Sequence, residues 1–203
     1  MKIWLITDTH LNHRSMIRSC GRPENFSRLI LNNWEKKVEN KDIVIHLGDI
    51  AFGHEEDGLK KLLRMPGKKI LVRGNHDPKS LEAYMDMGFT FACDEFVMIV
   101  EGVRMPFTHR PRIGHTFDIN IHGHEHDVHR VSEEGLFLPI ALEVHGYEPI
   151  ELDHERMRLI RSWVDKYKQD GTIPSLDTYR KFGSDPIPEL RERDYTGRGR
   201  NEE

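Results

Sequence analysis

Lys69-Ile70-Leu71-Val72-Arg73 runs directly into Gly74-Asn75-His76-Asp77-Pro78. The first five residues read as a buried strand. The next five stop it with a turn built from polar, chemically capable side chains. The same construction occurs twice upstream: Lys2 to Thr7 is a short apolar strand ending at Asp8-Thr9-His10, and Asp42 to Leu47 is a second, ending at Gly48-Asp49. Between these strands, Phe26, Leu29, Ile30, Trp34 and Val38 recur at roughly helical spacing and predict a helix over Pro23–Glu39. A further helix is expected over Glu55–Met65, closed by Pro66-Gly67, and a short one over Lys79–Met87. The first half therefore reads β-α-β-α-β.

The second half has a different texture. Glu95–Val100 and Val103–Thr108 flank Glu101-Gly102, a hairpin signal. Asp118–His122 is another strand, followed by the turn Gly123-His124-Glu125-His126. Short strands are expected at Val128–Val131, Ile140–Val144 and Pro149–Leu152, mostly antiparallel, and then a helix over Asp153–Lys168. Met157, Ile160, Trp163, Val164 and Tyr167 form its apolar stripe. The expected fold class is α/β, with two layered sheets and helices outside. The domain is expected over residues 1–170, with a C-terminal extension at 171–203 rich in Pro, Gly and charge, its last twenty residues poorly ordered.

Composition bounds the function. A chain of 203 residues can bury a core without covalent staples, and 37% hydrophobic with 32% charged residues suits a globular protein. No apolar run approaches the ~20 residues of a membrane span, and the N-terminal apolar segment is too short for a signal peptide. Cys20 and Cys93 make neither a disulfide framework nor a Cys-x-x-Cys zinc pair, so a reducing cytoplasm is expected. A net charge of −4 excludes a generally nucleic-acid-coating surface. The thirteen histidines are the anomaly.

Ligands of open α/β sheets bind beyond the carboxyl ends of the strands. There this sequence places Asp8, His10, Asp49, Asn75, His76, His109, His124 and His126. Carboxylate, carboxamide and imidazole without thiolate suit Mn²⁺, Fe²⁺ or Zn²⁺. The set exceeds the four ligands that one zinc ion takes, and seven of its members would satisfy two ions if one carboxylate is shared. Gly48 and Gly74 let backbone approach such a crowded site.

Asp8-x-His10, Gly48-Asp49, Gly74-Asn75-His76-Asp77, His109 and Gly123-His124-x-His126 resemble, in order and rough spacing, the calcineurin-like metallophosphoesterases. The resemblance runs from about residue 1 to residue 152. It implies a β-sandwich flanked by helices, α-β-β-α. It also implies that Asp8, His10 and His126 hold one divalent ion, that Asn75, His109 and His124 hold a second, and that Asp49 bridges them. His76 then contacts the phosphate and leaving group, and Asp77 orients His76. The implied activity is hydrolysis of a phosphate ester by a metal-bridging hydroxide. Alternatives within the fold are a phosphomonoesterase or protein phosphatase, and a noncatalytic interaction scaffold; retention of His76 and of all seven ligands argues against the scaffold. The sequence departs from the family where Arg110, rather than glycine, follows His109, and where Glu125 separates the last two histidines.

Arg14, Arg18 and Arg22 recur every four residues after His10. With Arg110 and Arg112 they are candidate rim groups for a phosphate-rich substrate, because guanidinium forks match phosphate oxygens. They tilt the expectation toward a phosphodiester, a nucleotide or a nucleic-acid end. His13 is a further candidate to line the site. His122 and His46, inside strands, are expected in the core or behind the ligands, and Trp4 and Trp34 in the core.

Overall fold

The computed structural model describes residues 1–52, 55–114, 116–126, 135–175, 178–179 and 182–183. Four strands, β1 (Ile3–Ile6), β2 (Ile43–His46), β3 (Lys68–Val72) and β4 (Phe91–Cys93), lie parallel. β9 (Ile150–Glu151) pairs antiparallel with β1 and completes a sheet of order β4-β3-β2-β1-β9. The second sheet has the order β5-β6-β7-β8, from β5 (Glu95–Val100), β6 (Val103–Thr108), β7 (Asn120–His122) and β8 (Phe137–Pro139).

The strand period of two explains the layering. In β1, Trp4 and Ile6 face one core while Leu5 faces another; Val44 and Ile45 of β2, and Leu71 and Val72 of β3, divide likewise. The first core is closed by α1 (Ser15–Ser19), α2 (Phe26–Lys37), α3 (Glu55–Leu63) and α4 (Leu81–Met87), with Trp34, Ile30, Leu62 and Tyr84 fully buried. The second lies between the sheets, where Met105, Phe107, Ile121 and Leu138 meet Leu5 and Val72. The expected stripe Met157, Ile160, Trp163 and Val164 of α5 (His154–Asp170) packs into this second core. Asp153 caps α5 by accepting from the Arg156 N–H, and Gly171 ends it in the left-handed conformation. Both faces of the first sheet are thus buried, which is why its strands are continuous apolar runs.

Three expectations change. The second sheet is not mainly antiparallel: β5 and β6 are, but β6, β7 and β8 run parallel. The strand expected at Ile140–Val144 instead lies at Phe137–Pro139, and residues 142–147 form turns closed by Val144 N–H to the Ala141 carbonyl and His145 N–H to the Leu142 carbonyl. The stretch is buried apart from the half-buried Val144, and a largely apolar run signals burial without marking where extension ends. β4 was not foreseen, being only three residues long. The strand expected at Val128–Val131 and the last twenty residues lie outside the described residues. Among the described residues no helix is long and apolar enough to cross a membrane.

Candidate metal centre

The carboxyl ends of β1, β2 and β3 deliver Asp8 and His10, Asp49, and Asn75 with His76; β6 and β7 deliver His109, and His124 with His126. One ligand atom from each of Asp8, His10 and His126 lies within 4.8 Å of the others, and the same holds for Asp49, His109 and His124. Asn75 joins the second group through Oδ1, 2.9 Å from His109 Nε2. Asp49 Oδ2 links the groups, 3.5 Å from His10 Nε2 and 3.4 Å from His109 Nε2. All seven candidate ligands are therefore brought to one place.

The backbone bends to do this. Asp8, His10, Asp49 and His124 have φ of 48°, 41°, 58° and 67°, a conformation costing about 1–3 kcal/mol each outside glycine. Each strained residue is held by its own N–H. Asp8 donates to the Gly48 carbonyl (2.9 Å), His10 to the Asp49 carbonyl (3.0 Å), Asp49 to Asp77 Oδ2 (2.7 Å) and His124 to Asp8 Oδ2 (2.8 Å). Space is equally constrained. A Cβ on Gly74 would lie 2.2 Å from Asp49 Oδ1, and one on Gly48 would lie 2.5 Å from the Gly74 nitrogen. Glycine is required at both positions for the two strand ends to meet.

The donor chemistry fits a cation. Asp8 Oδ1 is buried and, among the described residues, has no hydrogen-bond partner, whereas Oδ2 accepts from Thr7 and His124. A buried carboxylate oxygen without a donor is costly unless a positive charge faces it. His109 donates Nδ1–H to the Leu47 carbonyl (2.8 Å), which leaves Nε2 as the ligating nitrogen. Burial pushes His10 down to about 2 and His124 to about 4, so both rings are neutral and able to ligate. Burial opposes ionisation of Asp49, but the hydrogen bond and charge of His109, the His76 N–H and His10 carry it well below the usual carboxylate range. Burial holds Asp8 above that range despite His109 and His126. Burial would likewise depress His109, yet its hydrogen bond to Asp49 and the charges of Asp8 and Asp49 leave it raised.

His76 lies beside the cluster. Its N–H donates to Asp49 Oδ1 (2.8 Å), and its half-buried ring packs edge-on to Phe52 and 5.4 Å from the His10 ring. Asp77 does not contact the His76 ring as expected; its two oxygens accept from the backbone of Asp49, Ile50 and Gly74. It orders the bridging loop, and reaches His76 only through that loop. His13 lines the site, stacked on Phe52 with its Nδ1 3.2 Å from His10 Nδ1. His122 is fully buried and donates Nδ1–H to the Gly123 carbonyl, as expected of a core histidine. His46 is buried behind the site between the Gly48 N–H and the Thr9 hydroxyl.

The arginines separate. Arg14, Arg18 and Arg110 are exposed, and Arg110 Nη2 is 3.4 Å from Asn75 Oδ1. Arg112 pairs with Glu95 (2.7 Å). Arg22 is not a rim residue at all: α1 ends before it, Gly21 adopts φ 66°, and the chain turns the guanidinium into the core at 1% exposure. Glu143, which sequence reasoning missed, pairs with it at 2.7 Å and also meets His126 at 3.0 Å. Its signal was available: a single carboxylate within the apolar run from Leu136 to Val144.

Comparison with known proteins agrees with this architecture. A protein of unknown function from Aquifex aeolicus superposes with a TM-score of 0.60 at 26% identity, over 77% of this chain and 97% of that one. An uncharacterized protein of Methanocaldococcus jannaschii is 31% identical over 189 residues, 86% of this chain and 98% of that protein. The gene 66 protein of Mycobacterium phage D29 is 27% identical over 209 residues, 94% of each chain. A family model, calcineurin-like phosphoesterase, matches residues 1–170. That span holds both sheets, α5 and every strand-end ligand described above, and the chain belongs to the calcineurin-like phosphoesterase family.

Proposed function

We propose that the protein hydrolyses phosphate esters with two divalent ions, one held by Asp8, His10 and His126, the other by Asn75, His109 and His124, with Asp49 shared. The observation that carries this reading is Asp49 Oδ2, within 3.5 Å of a ligand nitrogen from each group. Ions bound there supply Lewis acidity toward the phosphoryl oxygens and an activated water nucleophile near neutral pH. The protein's own groups do the rest. Asn75, whose Oδ1 faces the second group, has its amide N–H₂ left to donate to a phosphoryl oxygen. His76 delivers a proton to the departing oxygen, its backbone anchored on Asp49 so that the ring stands beside the cluster. Phe52 and His13, stacked on one another, wall the site on that side. No step requires either cysteine.

A phosphodiester or nucleotide is the favoured substrate class. Support comes from the exposed Arg14, Arg18 and Arg110, the last with Nη2 3.4 Å from Asn75 Oδ1. Replacing Arg14 and Arg18 together by alanine is expected to raise KM several-fold for a polyanionic substrate and leave a small monoester unchanged. Steady-state kinetics on both substrates would return the two arginines to ordinary surface residues if KM moved equally.

The reading as a whole is tested by stripping the protein of metal, restoring it with Mn²⁺, Fe²⁺ or Zn²⁺, and screening mono- and diesters. Hydrolysis that depends on the added ion, at two equivalents per chain, is expected. Two bound equivalents with no hydrolysis of any ester would favour a scaffold, and one equivalent a structural zinc site.

A further inference from the structure

Arg22 is among the largest fully buried side chains of the protein. A guanidinium in that position is costly unless every N–H meets an acceptor. Here Nε donates to Glu143 Oε1 (2.7 Å), Nη2 to the Asp8 carbonyl (2.8 Å) and Nη1 to the Thr9 carbonyl (3.3 Å). The guanidinium carbon lies over the rings of Phe26 and Tyr147, 5.2 and 5.9 Å from their centroids. Glu143 in turn lies 3.0 Å from His126 Nδ1. One buried ion pair thus touches two of the three residues in the first ligand group, Asp8 through its backbone and His126 through its ring.

We infer that Arg22 and Glu143 are a positioning pair for the first metal site, in which Arg22 fixes the Glu143 carboxylate and Glu143 keeps the proton of His126 on Nδ1. This rests on the metal reading given above. The geometry makes the carboxylate decisive. His126 Nδ1 is also 3.2 Å from Arg22 Nη2, and an arginine nitrogen can only donate. Facing Arg22 alone, Nδ1 would turn its lone pair to the guanidinium, and the ring's proton would move to Nε2, the nitrogen needed for the ion. Glu143 Oε1 is the nearer partner at 3.0 Å and accepts, which reverses that choice and leaves Nε2 bare. The pair therefore sets the tautomer of a ligand as well as its orientation. The cost of burying two charges is accepted in return for a ligand ring held in one state.

The test uses the full-length protein and its Glu143→Ala variant, which removes the one oxygen that Arg22 and His126 share and leaves Nδ1 facing Arg22 alone. Chelator-competition titration with Zn²⁺ should show one of the two ions bound about 10–100-fold more weakly. In metal-stripped, ¹⁵N-labelled protein, long-range proton–nitrogen spectra should show His126 with its proton on Nδ1, moving toward Nε2 in the variant. The double variant Arg22→Met with Glu143→Leu removes both charges together, so no buried charge is left alone; it should fold and show the same weakening. A lower Tm in either variant with unchanged Zn²⁺ affinity and an unchanged His126 tautomer would overturn the inference, leaving the pair only structural. Wild-type protein that takes up two ions separates this failure from that of the metal reading; wild-type protein that takes up none overturns both.

Discussion

Asp49→Asn is expected to empty both metal positions. Asp49 Oδ1 accepts the His76 N–H at 2.8 Å, and the close approach of Gly74 holds that oxygen in place. In the variant the amide oxygen must occupy the Oδ1 position to keep this hydrogen bond. The amide N–H₂ then falls where Oδ2 stood, between His10 Nε2 and His109 Nε2. A donor there cannot ligate, and it would present its hydrogens to both ions at once. Loss of an outer partner of a metal ligand costs about 10–100-fold in affinity, so loss of a shared ligand should exceed ~100-fold for the pair. Activity should fall by at least as much. The fold should survive, because the Asp49 N–H still reaches Asp77 Oδ2. Elemental analysis of the purified variant, alongside its melting curve, checks this. Two full equivalents of metal would remove Asp49 from the bridging role.

His76→Ala should do the opposite: keep both ions and lose chemistry. The hydrogen bond from His76 to Asp49 comes from its backbone N–H, which alanine retains. The ring contributes no ligand atom to either three-residue group. What alanine removes is the proton donor to the leaving oxygen. That matters most for an alkyl or nucleoside ester, whose alkoxide is a poor leaving group. It matters little for a p-nitrophenyl ester, whose phenolate departs as a stabilised anion. General acid catalysis is worth ~10²–10⁴-fold, so the two substrates should diverge by a factor approaching that range. Equal slowing of both esters with metals intact would make His76 a phosphate-positioning group. Loss of a metal would undo the division between ligating and catalytic histidines.

Glu143 and Arg22 show where reading the chain stopped short. The four-residue spacing of Arg14, Arg18 and Arg22 puts the first two on one face of a helix and leaves the third open because Gly21 precedes it, and α1 does run through Arg18. Gly21 then reverses the chain, so the third arginine of a seemingly uniform series enters the core. Its partner lies 121 residues away. Asp77 is similar: its motif position was legible, but its acceptors face the backbone of the β2 loop and not its neighbour His76.

What the sequence determined by itself is the identity of the strand-end residues and the layer order that gathers them. Burial of β1 to β3 on both faces is legible as short continuous apolar runs, and parallel strands whose ends share one edge bring Asp8, Asp49 and Asn75 together without further information. What only the tertiary structure decided is how those residues are held. The left-handed turns at Asp8, His10, Asp49 and His124, the orphaned Asp8 Oδ1, and the Glu143 carboxylate behind His126 all depend on contacts between distant segments. Local pattern reports which residues leave water; it carries no record of which buried donor meets which buried acceptor. That pairing is settled only when the two sheets close on each other, because burial then obliges each polar group to find a partner.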